Sequence, residues 1–206
     1  MYSSSGKMPI PPRPTGPGNL LGTAIVGGIE WFIKRYGNVA AHSVLAQMPP
    51  AMQLWFSPNA PALGVLGARR YPYPVVGEVV RTMARVVKVP EDDLARDMAI
   101  AGCDATLGTV ARGVLRHLVT PRAMASNAQS MWDEFHDSGR LVARATDDEY
   151  LSEVHEWENH DVLVCKMSVA VCAWLIGRMG KQDVAVTRVS CRAWGHDVCT
   201  TRVRFR

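Results

Sequence analysis

The sequence predicts an α+β fold: a helical N-terminal half, then a ββαββ unit whose antiparallel sheet is covered by helices on one side. Three observations carry this. Apolar residues recur at helical spacing from Leu20 to about His136. After Gly139 the period changes from 3.6 to 2. A strongly apolar stretch, 162–179, then separates two pairs of strand-like segments. With 206 residues, 48% hydrophobic and 20% charged, the chain is neither disordered nor collagen-like and is long enough to bury a core.

Residues 1–18 hold Pro9, Pro11, Pro12, Pro14, Gly16, Pro17 and Gly18, and read as a flexible tail; residues 19–206 read as one domain. Asn19 is placed to cap a helix over 20–36, with Leu21, Ile25, Ile29 and Phe32 on one face and Gly37 as its stop. A short helix over 39–47 ends at Pro49-Pro50, and 49–73 reads as loop. Pro74 opens a helix with Val75, Val76, Val79, Val80 and Met83 inward. Pro90 breaks it. Glu91-Asp92-Asp93 suits the positive end of a further helix, 91–118, whose interior glycines imply close helix packing or a break near Gly102. Pro121 begins one more, through about His136. Residues 140–146 and 150–157 alternate as a β-hairpin around Asp147-Asp148. Asn159-His160-Asp161 caps helix 162–179, which ends at Gly180. Strands over 183–192 and 197–205 complete the chain.

The N-terminus lacks the apolar run of a signal peptide, and 162–179 is interrupted by Lys166 and Ser168, so the sequence predicts a cytoplasmic protein without a membrane span. A net charge of +4 is too weak to argue for nucleic acid. The five cysteines, an odd number without a secretory signal, favour free thiols or metal ligands over a disulfide framework.

Chemistry concentrates near the C-terminus. Cys191 and Cys199 flank the turn at Trp194-Gly195-His196-Asp197, which sets them opposite each other on one sheet face. Cys165 lies on the apolar helix that packs there. Three sulfurs from a helix and a hairpin make a zinc nest short of one ligand, with His155, His160, His196 or water as the fourth. Such a site is structural rather than catalytic. Two other readings stay open: buried thiols acting as small hydrophobes, and a Cys191–Cys199 cross-strand disulfide. Cys172 sits two turns beyond Cys165, about 10.5 Å along the axis, too far to share its ion. Met167, Cys172, Trp174 and Met179 are the candidates to line an apolar pocket under this helix. His117, beside Arg112 and Arg116, reads as solvated rather than as a haem ligand. No GxSxG, P-loop, GxGxxG or HExxH signature is present, and nothing pairs a base with a nucleophile.

The segments Asn19-Leu20-Leu21-Gly22-Thr23-Ala24, Trp55-Phe56 with Pro58, Arg69-Arg70-Tyr71-Pro72, and Pro90 resemble a myxobacterial paralogous family of uncharacterised proteins, over roughly residues 19–206. From Gly139 the chain resembles the 4-vinyl-reductase domain, whose last hairpin carries Cys, a small residue–Gly turn and Cys, matched by Cys191, Ala193-Trp194-Gly195 and Cys199. Both are similar to the ligand-binding superfamily of haem–nitric-oxide sensors and TRAPP tethering subunits. The resemblance implies a mixed α/β module that dimerises and encloses a small apolar cavity. In phenol-sensing regulators of this kind it implies a zinc held by three cysteines and a glutamate. Cys165, Cys191 and Cys199 match the cysteines, whereas Arg188 stands at the glutamate's position. The haem sensors' Tyr-x-Ser-x-Arg signature is missing, so haem is not expected.

The functional reading is therefore a non-enzymatic, dimeric sensory module for a small apolar ligand, with structural zinc. The alternative is an adaptor that dimerises through helix 20–36 and engages a protein partner. An enzyme acting on an aromatic or pigment-like substrate ranks below both.

Overall fold

The computed structural model describes residues 15–107 and 119–206. Asn19 does not cap a helix. It opens a short strand, β1 (Asn19–Leu21), paired antiparallel with β2 (Arg70–Pro72). Helix α1 (Thr23–Gln47) starts only after Gly22, where a Cβ would fall 2.0 Å from the carbonyl oxygen of Leu66. Within this span Gly37 (φ +86°, ψ 165°) is not helical: one helix stops there and a second begins beyond it, so the two helices expected over 20–36 and 39–47 are both present, on either side of a kink. After α2 (Pro50–Gln53) and a 3-10 turn (Pro61–Gly64), α3 (Tyr73–Val87) turns its valines into the core. Helix α4 (Glu91–Thr106) carries Glu91, Asp92 and Asp93 in its first turn, as its dipole favours. The rest of the helix expected over 91–118, with His117, lies outside the described residues.

The helix expected from Pro121 is two, α5 (Pro121–Ser126) and α6 (Ala128–Phe135). Asn127 separates them: its side chain donates to the carbonyl of Ala123 (2.8 Å), a local bond that competes with helix continuation. Thr120 caps α5 through the backbone N–H of Ala123.

The α+β class stands. Strands β3 (Arg140–Ala145), β4 (Glu149–His155), β5 (Ala185–Ser190) and β6 (Cys199–Arg204) form an antiparallel sheet in the order β3-β4-β6-β5. Helix α7 (Val162–Arg178) connects β4 to β5 and packs most extensively on α4, with α3 beside it. One core joins α1, α3, α4 and α7 to Cys191 and Cys199; a second gathers Met124, Tyr150, Ile176, Met179, Val203 and Phe205.

The apolar stripe of 20–36, expected as a dimer interface, is used inside the chain. Ile25, Ile29 and Phe32 are buried, and α1 packs on α4 so closely that a Cβ on Gly28 would lie 2.8 Å from the Met98 carbonyl oxygen. The end of the expected tail is held too. The backbone N–H groups of Gly18 and Asn19 donate to the Asp137 carboxylate at 2.8 and 2.6 Å, and Asn159 donates to the Pro17 carbonyl. Residues 1–14 lie outside the described residues. Among the described residues, no helix is long and apolar enough to cross a membrane.

Candidate functional site: a cysteine–histidine cluster in the wall of an apolar cavity

The site is built on the start of α7. The Asp161 carboxylate accepts from the N–H groups of Leu163 (2.8 Å) and Val164 (3.4 Å) and pairs with Arg81 at 2.6 Å. Gly77 on α3 leaves it room, since a Cβ there would meet the carboxyl group at 2.3 Å. This fixed start places Cys165 in the first turn of α7 and His160 immediately before it. From the sheet, Gly195 at φ +85° and the turn Arg192–Trp194 fold the β5–β6 loop back on itself. The Cys191 and Cys199 sulfurs then stand 3.9 Å apart. That is far beyond a bonded pair, about 2.05 Å, and both are free thiols.

His160 Nε2 lies 3.4 Å from the Cys199 sulfur and 3.8 Å from that of Cys191. The donor atoms of His160, Cys165, Cys191 and Cys199 all fall within 4.8 Å of one another, with the cysteines buried and the histidine half-buried. Three sulfurs and an imidazole form a donor set suited to tetrahedral zinc. Of the other two histidines considered as fourth ligand, His155 faces Glu153 at 3.4 Å and His196 is exposed.

Charge is divided unevenly among the thiols. Cys199 is held down to about 4, first because Cys165 donates to it and then, against the effect of burial, because His160 and the Arg192 N–H face it. Cys165 is pushed far up, by that same donated hydrogen bond and by burial. Arg188, which stands where the resembled sites have a glutamate, brings its guanidinium against the sulfurs. Its Nη1 donates to the Cys165 sulfur and, at 3.4 Å, to that of Cys191, and its Nη2 donates to the Cys165 carbonyl at 2.9 Å.

Cys165 and Cys199 also face a cavity of about 310 Å³ bounded by α4, α6, α7 and the sheet. Met167 and Cys172 are among its lining residues. Trp174 and Met179 are not. Trp174 is half-buried beneath the Arg178 guanidinium, 4.9 Å from its ring, and Met179 belongs to the second core. Leu175 still lines the cavity, so Trp174, one residue earlier and about 100° round the helix, faces another way, and Met179 follows the last residue of α7. No Asp, Glu, Lys or Arg is among the described lining residues. The sequence reading missed the aromatic wall. Trp132 stacks on His136 at 3.6 Å, and Trp157 meets Trp132 edge-on at 4.8 Å and His160 at 4.9 Å. These residues come from two separate segments, 132–136 and 157–160, and no local pattern links one segment to the other. His136 Nδ1 is 2.9 Å from the Tyr73 hydroxyl, and burial first, then the charge of Arg70, lowers the imidazole to about 3.

Solved structures share this fold over 90% of the chain. An H-NOX protein from S. oneidensis, in its Fe(II)NO ligation state, superposes with a TM-score of 0.64 at 9% identity over 99% of its own length. The Fe(II) unliganded H-NOX protein of K. algicida gives 0.64 at 8% over 96% of its length. An oxygen-binding H-NOX domain related to soluble guanylate cyclases gives 0.60 at 11% over 94%. At such identities the likeness shows the fold alone. No family model and no curated protein matches the chain, so the resemblance to the myxobacterial family and to the 4-vinyl-reductase domain rests on sequence motifs.

These neighbours correct the expectation about haem. It was discounted for want of a Tyr-x-Ser-x-Arg signature, yet the fold of proteins solved with iron in Fe(II), NO and oxygen states forms here without it. Tested against a porphyrin, the described lining supplies apolar and aromatic walls and one imidazole, His136. His117 lies outside the described residues.

Proposed function

We propose that the chain is a non-enzymatic sensory module that takes a small apolar ligand in the cavity, with zinc held at its wall by Cys165, Cys191, Cys199 and His160. The observation that carries the reading is the shared wall: two of the four clustered donors also line a cavity whose described lining residues include no charged side chain. A cavity of this size and lining suits a compact hydrophobic or aromatic molecule. The zinc would be structural, with four protein donors leaving no open coordination position. Haem is the second ligand to try, because proteins of the same fold bind iron in gas-ligated states; the described lining offers no cation to its two propionates. His136 is the described residue that would hold it, and the haem would supply gas-binding chemistry.

A second reading draws on the Cys199–His160 contact, which also fits a thiolate nucleophile beside its base. Zinc accounts for more of the geometry, because it uses all four donors and a nucleophile needs two.

Native mass spectrometry of protein purified without added metal tests the proposal, together with an absorption spectrum after exposure to haemin. The expected result is one zinc per chain and either a co-purified small molecule or a haem Soret band. A metal-free chain that retains neither haem nor any small molecule contradicts it.

A further inference from the structure

We infer that Arg188 is the counter-cation of the zinc-loaded cluster, a positioning residue that sets how tightly the four donors hold the metal. The inference rests on the zinc reading above and adds a role for a side chain that cannot itself ligate. A guanidinium has five donors and no lone pair, so beside a metal it acts only through the ligands.

Charge balance gives the reason. Zinc binds thiolates, so loading releases the thiol protons and leaves three negative sulfurs around a dication. With a neutral imidazole as the fourth donor, the group carries one net negative charge. That charge is enclosed: Cys165, Cys191 and Cys199 are 2%, 0% and 3% exposed. A buried charge without a partner is strongly disfavoured.

Among the described residues, Arg188 is the cation whose side chain meets these sulfurs, touching two of them and the Cys165 carbonyl. The neighbouring cations are engaged elsewhere. Arg81 pairs with Asp161, Lys166 with Asp92, and the Arg192 guanidinium donates to the Asp197 carbonyl. Strand geometry supports the placement. The β5–β6 register shifts between Arg188 and Ser190, and such a bulge re-aims the side chains beside it. The residue that replaces a glutamate of the resembled sites is thus no rival to the metal, since His160 supplies the fourth donor and Arg188 balances the charge.

The test is zinc affinity of the full chain, measured by competition with a chromophoric chelator, for wild type, Arg188→Lys, Arg188→Gln and Arg188→Met. Cobalt is substituted to follow the sulfur-to-metal charge-transfer bands. Removal of such supporting partners typically weakens metal binding about 10–100-fold. Gln and Met are expected to lose that much, Lys to recover part of it, and the cobalt bands to shift in position while keeping tetrahedral intensity. Dichroism of each metal-free variant reports folding, and Lys with either Gln or Met suffices to read the order. Gln or Met binding zinc as tightly as wild type, or Lys holding it no better than they do, overturns the inference alone. A wild-type chain that takes no zinc overturns the zinc reading and this inference together.

Discussion

His136 is a neutral imidazole held inside the protein, and its burial has a consequence for stability. Its folded value near 3 lies below the unfolded value of about 6.5, so the unfolded chain binds the proton first. The stability this group supports is complete above pH 6.5 and is lost as pH falls from there toward 3, by roughly 1.4 kcal/mol per pH unit. Urea denaturation between pH 7 and 4.5 checks this. His136→Phe, which keeps a ring against Trp132, should flatten that part of the slope, and an unchanged slope would contradict the assignment. The cysteines divide just as sharply. Cys199→Ala should abolish stoichiometric zinc, whereas Cys172→Ala, on the same helix as Cys165 but outside the cluster, should leave it intact; metal analysis of the two variants decides. The sulfur positions were legible in the sequence because a hairpin fixes which residues face each other, and a cap fixes where a helix begins. The role of Arg188 was not, since it depends on which way one side chain leaves a bulged strand. Neither was the Tyr73–His136 pair, whose partners are 63 residues apart.

Helix α7 shows what a local signal can and cannot specify. Asp161 was readable as its cap, and the apolar run as its body. What holds the cap is remote: Gly77 leaves the space and Arg81 the charge, both on α3. Gly77→Ala should therefore destabilise the protein by about 1–3 kcal/mol, the usual scale of overpacking, and lower zinc retention with it, because His160 and Cys165 flank the displaced cap. Thermal melts with and without zinc measure both effects. Boundaries failed where tertiary contacts decide them. A three-residue strand such as β1 has no periodicity of its own and exists because Arg70–Pro72 pairs with it. Where a glycine supplies the break, the boundary was legible: α1 is two helices meeting at the non-helical Gly37, the second burying Ala41, Val44 and Leu45. Trp174 failed as a pocket residue because it points about 100° round the helix from Leu175, which lines the cavity, and Met179 because it lies beyond the end of α7.

At the scale of the molecule, the rhythm change after Gly139 announced the sheet. The order β3-β4-β6-β5 and the cavity beneath α7 come only from packing. The cavity matters because its wall and the cluster share Cys165 and Cys199, and Trp157 joins the wall to His160. Ligand and metal should then influence each other reciprocally. A neutral apolar probe, N-phenyl-1-naphthylamine, is expected to slow EDTA removal of zinc by about 5-fold or more, the lower end of such couplings. Equal rates with the probe bound would separate the two sites.

The most direct test of the account is zinc K-edge X-ray absorption on the full chain as purified. It predicts three sulfurs at about 2.3 Å and one nitrogen at about 2.0–2.1 Å around a single zinc. A shell of oxygen and nitrogen, or protein that carries no zinc after loading and desalting, would contradict it.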